Sequence, residues 1–110
     1  MANYQFKTTN IRGKQYVEVN ERIKYFRTEP RYDGWALETE LLSLDENSCV
    51  VRASIRNSEG AVVAMGLAQE DRSSSMVNKT SYVENAETSA WGRALANLGI
   101  GIETSIASAQ

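Results

Sequence analysis

The run from Asn78 to Gly101, NKTSYVENAETSAWGRALANLGIG, narrows the choice of fold more than any other stretch of this chain. Its spacing predicts a single helix with both ends marked. Ser81 and Glu84 stand three apart and predict a capping box, each side chain satisfying a free backbone donor of the first turn. Gly99 closes the apolar pattern, where a left-handed C-terminal cap wants a residue without a Cβ. At about 100° per residue, Val83, Ala86, Ala90, Trp91, Ala94 and Leu98 fall on one stripe. The opposite face carries Thr88, Ser89, Gly92 and Ala96, which are also small. A helix slim on both faces can be packed on both faces, and Gly92 marks where a neighbouring copy could approach. Glu87 lies inside the apolar stripe. A carboxylate buried there needs a cation or several donors, so Glu87 is expected to pair with an arginine of the sheet, of an N-terminal helix or of a neighbouring subunit.

The chain has 110 residues, enough for one small domain with a modest core, a size at which self-association is a common way to bury more surface. Residues 1–13 are polar and read as a loose lead-in, with Tyr4 and Phe6 as docking points. Lys14 to Val19 reads as a short strand or an extended approach. Asn20 predicts the N-cap of a short helix from Glu21 to about Thr28, with Val19, Ile23 and Phe26 on its apolar face and Arg22, Lys24 and Arg27 on its polar one. Pro30 and Gly34 close that unit. Three strands follow: Trp35–Leu44, with Glu38 and Glu40 opposite Leu37, Thr39 and Leu41; Ser48–Asn57, with Cys49, Val51, Ala53 and Ile55 inward and Arg52 and Arg56 outward; and Ala61–Glu70, apolar on both faces and so expected to be central or covered on both sides. Asp45-Glu46-Asn47 and Ser58-Glu59-Gly60 are the turns, and Asp71–Val77 is a polar, Ser-rich loop. The fold class is therefore α+β: a short N-terminal helix, a three-stranded antiparallel meander and a long C-terminal helix packed on one sheet face. Residues 14–102 form one domain and 103–110 a tail.

Charge bears on function through its distribution. The net charge is −2, yet residues 1–31 carry seven Lys/Arg and three Glu, and the remainder is acidic. Such asymmetry suggests a basic working face, or two surfaces that attract each other in an oligomer. The chain has no histidine, which removes the usual metal ligand and the commonest general base. Adjacent acids such as Glu70 and Asp71 point apart on a strand, no pair has metal-ligand spacing, and the Ser/Thr run from Ser73 to Ser81 has no His partner. The expectation is a protein that is not an enzyme, with no metal, no cofactor and no small-molecule substrate. The single Cys49 in an apolar strand reads as a buried thiol of a reducing compartment. No apolar run is long enough to span a membrane, and the expected place is the cytoplasm.

Binding finds more support. Lys79, Thr80, Ser81 and Tyr82 cluster at the expected N-terminus of the long helix, where free N–H groups and the helix dipole favour a phosphate. Arg72 lies just upstream. Arg22, Lys24, Tyr25, Arg27, Arg31 and Tyr32 interleave bases with aromatics, a composition that suits phosphate contact and base stacking on single strands.

The string ENAETSAWGRALANLGIG, with YVEVNERIKYFR and ALETELL before it, resembles phage Sak-type single-strand annealing and single-stranded DNA-binding proteins of the Rad fifty-two superfamily. The resemblance implies a β-β-β-α core, ring or filament homo-oligomers in a bacterial host cytoplasm, and single-stranded DNA in a basic groove. It makes Lys79, Tyr82 and Arg93 motif residues, with Arg52 and Arg56 as candidates on the sheet. The expected function is single-stranded DNA binding by a homo-oligomer, with or without annealing. The alternative is a non-enzymatic interaction module, a scaffold or inhibitor that binds a host protein through its acidic face.

Overall fold

A computed structural model describes residues 5–76 and 78–102. The expected tail 103–110, the docking residue Tyr4 and Val77 at the end of the Ser-rich loop lie outside them. The order is β1 (Thr8–Ile11), β2 (Lys14–Val17), α1 (Val19–Thr28), a 3-10 turn (Pro30–Tyr32), β3 (Ala36–Leu44), β4 (Ser48–Arg56), β5 (Val62–Asp71) and α2 (Asn78–Leu98). The expected α+β architecture is the one observed, with a two-stranded hairpin added in front of it. That hairpin corrects the loose lead-in. Thr8 to Ile11 pairs antiparallel with Lys14 to Val17 around the two-residue loop Arg12-Gly13.

The main sheet is antiparallel in the order β3-β4-β5. Alternation in β4 is regular: Cys49, Val51, Ala53 and Ile55 are buried, and the residues between them are half-buried. This strand is central because a meander puts its middle strand between the other two. The expectation that the last strand is covered on both sides does not hold. β5 is an edge strand, and Val63, Met65 and Leu67 are 42, 46 and 56% exposed, most of them on the face away from α2.

The fold is thin, 17 Å in its shortest dimension, as two layers with a bare outer sheet face must be. Small residues set the spacing between those layers. Ala86, Ala90 and Ala94 of α2 are fully buried, and Gly66 of β5 lies beneath them. A Cβ at Gly66 would overlap the Ala94 amide nitrogen and come within 2.7 Å of the Ala90 carbonyl oxygen. The other slim face of α2, at Gly92, is filled from within the chain: a Cβ there would stand 2.7 Å from Val19 Cγ2 of α1. Gly92 thus seats α1, and the expected contact with a neighbouring copy is not what it makes. Trp91 packs at the margin of the core as a half-buried anchor.

The C-terminus of α2 closes as its sequence predicts. Gly99 has φ +110°, its N–H donates to Ala96 O, and the Ile100 N–H donates to Leu95 O. This is a Schellman closure, with the buried Ile100 as its apolar contact. The N-terminus differs. Helical structure starts at Asn78, whose N–H donates to Ser75 Oγ at 3.1 Å. Ser81 is an interior break, with φ −135° and ψ 24°, and neither its side chain nor that of Glu84 makes a capping bond among the described residues. α1 likewise starts before Asn20, with Glu18 at its N-cap.

No helix among the described residues is long and apolar enough to cross a membrane.

Candidate functional site

Three segments meet at the N-terminus of α2. The first is the turn between β3 and β4. Asp45 Oδ1 accepts the backbone N–H groups of Asn47 at 2.7 Å and Ser48 at 2.9 Å. Those two donors hold the Asp45 carboxyl below its ordinary pKa. The second is the loop after β5. The Arg72 N–H donates to Asn47 O at 2.7 Å, and Arg72 Nη1 reaches Glu46 O at 3.4 Å. The third is the first turn of α2, and Tyr82 ties it to the β3–β4 turn by donating its hydroxyl to Asp45 O at 2.9 Å.

Asn78 locks the arrangement from beneath. It is 3% exposed. Its amide donates to Glu70 Oε1 at 2.7 Å, to Asp71 O at 3.1 Å and to Ser74 Oγ, and its Oδ1 accepts from Asn85 Nδ2 at 2.6 Å. A buried amide satisfied on both ends fixes its neighbours. What these bonds frame is an open recess of about 380 Å³ lined by Asn47, Arg72, Ser73 and Lys79.

The structure therefore brings Lys79 and Arg72 together, and neither pairs with a carboxylate among the described residues. Their charges, the hydroxyl of Ser73 and the amide of Asn47 converge at the positive end of a helix. That arrangement suits an anionic oxygen of a phosphate. Asn47, Ser73 and Asn78 were not singled out by the sequence. The signal available for them was the Asp-x-Asn turn and the Ser75-to-Asn78 spacing.

The remaining expected site residues scatter. Tyr82 is half-buried with its hydroxyl engaged, so its ring is a strut and not a stacking platform. Arg22 is 3% exposed and donates from Nη1 to Gly92 O at 3.2 Å. Its Nε has no hydrogen-bond partner, and desolvation lowers its pKa. It belongs to the α1–α2 contact and cannot reach a ligand. Tyr25 and Tyr32, the aromatics interleaved with it, are 7% and 8% exposed; they join Phe26 and Trp35 in a chain of ring contacts. Lys24 and Arg27 stay exposed on α1, with Lys24 3.5 Å from the carboxylate of Glu21 and Arg27 over the Phe26 ring.

Arg52 and Arg56 do face the open side of the sheet, but each is paired across the strand, with Glu40 and with Glu38 at 3.0 Å. Arg93 turns to the outer edge of β5 and donates to Leu67 O at 2.8 Å; Asn97, one turn on, donates to Met65 O. Glu87 accepts from Thr39 Oγ1 at 2.7 Å. The expected arginine partner is absent among the described residues; Glu87 is half-exposed on the side of α2 that meets β3.

Among the expected site residues, the cations left for a ligand form two sets on one molecule. Lys79 and Arg72 mark one end of α2. Lys24 and Arg27 project from α1, which crosses α2 at Gly92, thirteen residues beyond Lys79 and roughly 20 Å along the helix axis at 1.5 Å per residue.

A family model described as "Slr1353 N-terminal dsRNA-binding domain-like" matches residues 23–98. No curated protein and no solved structure matches the chain. The family match overturns the resemblance to the Sak-type annealing proteins. Most of that resemblance's specificity lay in the small-residue string of α2, and the structure shows that string to be a packing device: Ala86, Ala90 and Ala94 against Gly66, Gly92 against Val19. The new match takes in the second half of α1 (residues 23–28) and the whole sheet as well as α2.

Proposed function

Because the chain belongs to the Slr1353 N-terminal dsRNA-binding domain-like family, we propose that it is a non-catalytic nucleic-acid-binding protein whose ligand is duplex RNA, held by its phosphate backbone. The observation that carries this reading is the recess where Arg72 and Lys79 converge, without carboxylate partners, beside Asn47 and Ser73. Domains that bind double-stranded RNA read the shape of the A-form helix over about 16 base pairs, through two successive minor grooves and the major-groove phosphates between them. Two basic sets separated along α2 suit a ligand with that periodicity. In this reading the recess takes a phosphate between the grooves, while α1 offers Lys24 and Arg27 to the next contact. Single-stranded DNA, the ligand expected first, is less favoured. Stacking requires exposed aromatic faces, whereas Tyr25, Phe26 and Tyr32 are buried and the Tyr82 hydroxyl is engaged.

The test is fluorescence anisotropy with an RNA duplex slightly longer than 16 base pairs, the DNA duplex of the same sequence, and oligo-dT. The expected order of affinity is RNA duplex, DNA duplex, single strand. Lys79→Ala and Arg72→Ala should each weaken RNA binding and make the slope of log K against log salt shallower by roughly 0.9, taking the value for duplex DNA. Duplex RNA bound no better than oligo-dT would overturn the duplex reading, and no binding of any of the three at low salt would overturn the function. The proposal extends to self-association along β3, whose outer edge pairs with no strand among the described residues and whose Leu41, Leu42 and Leu44 are 48, 42 and 54% exposed. Light scattering that finds only monomer at high micromolar concentration removes that extension and leaves the RNA reading intact.

A further inference from the structure

We propose that the β1–β2 hairpin is a second phosphate-contacting arm, mounted on the domain ahead of the residues that the family match covers. The inference rests on the nucleic-acid reading above and adds an element to it. The family match begins at residue 23, so both strands of the hairpin precede it.

The hairpin is basic throughout. Between Gln5 and Val17 stand Lys7, Arg12 and Lys14 and no acidic residue, on a chain whose net charge is −2. All three are exposed, and the side chains of Arg12 and Lys14 make no hydrogen bond or ion pair among the described residues. Two cations at one tip, free of internal partners, form a local positive field that a phosphate backbone would find even on an acidic protein.

The tip is also built against conformational preference. Arg12 and Gly13 have φ of +53° and +84°, the left-handed pair of a type I′ loop, in which Asn-Gly is the usual choice. Arginine carries a Cβ penalty in that region which asparagine largely avoids. Asn10 supports the turn by accepting the Gly13 N–H at 3.0 Å. Among the described residues nothing bonds to the Arg12 side chain, so what it supplies at the tip is exposed charge.

The mounting is firm. The Lys7 N–H donates to Glu21 Oε1 at 3.1 Å and Thr9 Oγ1 donates to Glu18, while within the hairpin Thr8 Oγ1 ties the two strands by donating to Gln15 Oε1 at 2.8 Å. Phe6 meets the Tyr25 ring at 5.3 Å between centroids, and Val17 is 6% exposed. Glu18 and Glu21 therefore sit at the base of the arm, engaged with it, and not at its tip. Through Glu21 the arm docks on α1, the helix that presents Lys24 and Arg27, and it lengthens that basic surface.

The test is the double substitution Arg12→Asn, Lys14→Gln, titrated against the RNA duplex beside the parent. Asparagine suits the left-handed position, so the variant should melt no lower than the parent, and lost affinity could not be assigned to unfolding. The expected result is roughly tenfold weaker binding at about 0.1 M salt, with a salt slope shallower by nearly 2, about 0.9 per lost contact. Arg12→Lys, which keeps the charge and the strain, should retain most of the affinity. Parental affinity and slope in the double variant would overturn the arm while leaving the domain's RNA binding in place. A parent that binds no duplex would overturn both.

Discussion

Arg22 and Lys79 carry the same charge and meet opposite fates, and the difference lies in what surrounds each side chain. Arg22 lies three residues after Val19 and four before Phe26, inside the stripe those two define, and it ends between α1 and α2 with one bond to Gly92 O. Its position in that stripe was readable from the sequence; composition alone made it look like a ligand residue. Arg22 has no carboxylate partner among the described residues, and replacing buried charge by an apolar chain of similar volume is often neutral or stabilising. Arg22→Met should therefore leave RNA affinity unchanged and alter stability by no more than about 1 kcal/mol, as read by chemical denaturation. Lys79→Ala should do the reverse, lowering affinity and sparing the fold. Asp45 offers a test by pH. Its carboxyl is held below the ordinary aspartate range by the N–H groups of Asn47 and Ser48. Its contribution to the turn is thus present above the unfolded pKa and lost as pH falls through the lower folded value. In an acid titration followed by NMR, the amide resonances of Asn47 and Ser48 should move at a lower pH than those beside aspartates without such donors, and Asp45→Ala should abolish the transition and loosen the recess.

Among the elements, those that bury one face were legible and those that hold themselves together by polar bonds were not. β4 alternates because one side of it meets α2, and hydropathy records that directly. The end of α2 was legible because a left-handed cap selects glycine. The β1–β2 hairpin buries little beyond Val17, so its strands carry almost no alternation to read. The start of α2 was misplaced because Ser75 and the buried Asn78 network, rather than a Ser81–Glu84 box, satisfy its first donors. Gly66 stands in a strand that hydropathy marks only as apolar, yet it is the point of closest approach between β5 and α2. The atoms it would strike are backbone and cannot rotate away. Gly66→Ala should therefore destabilise by roughly 1–3 kcal/mol, a fall in Tm of very roughly 5–15 °C for a domain of this size, checked by differential scanning calorimetry. An unchanged Tm would mean that α2 rides higher above the sheet than described.

Across the whole molecule, the two edges of the sheet are treated differently. The β5 edge offers backbone carbonyls that would template another strand, and α2 covers two of them with Arg93 and Asn97. Arg93 thus guards the sheet, a role that the sequence did not reveal because it depends on a strand 26 residues away. The double substitution Arg93→Ala, Asn97→Ala should uncover that edge and raise the apparent mass in light scattering with increasing concentration, while far-UV circular dichroism stays that of the parent. An unchanged mass distribution would assign edge protection to the charge and twist of the strand instead. The order of helix, meander and helix was legible from periodicity; the recess was not, since its charges are few and their grouping depends on loops whose geometry is fixed by side-chain bonds.

The break at Ser81 makes the first turn of α2 a short lever. Residues 78–80 are helical, but their bonds run mainly to β5 and its loop, and the pivot lies between them and the body of the helix. The Asn85–Asn78 bond spans the pivot as its brace. With Asn78 bonded to Glu70 and Asp71 on one side and to Asn85 on the other, that turn is held at both ends, and Lys79 is seated by the sheet edge as much as by the helix that carries it.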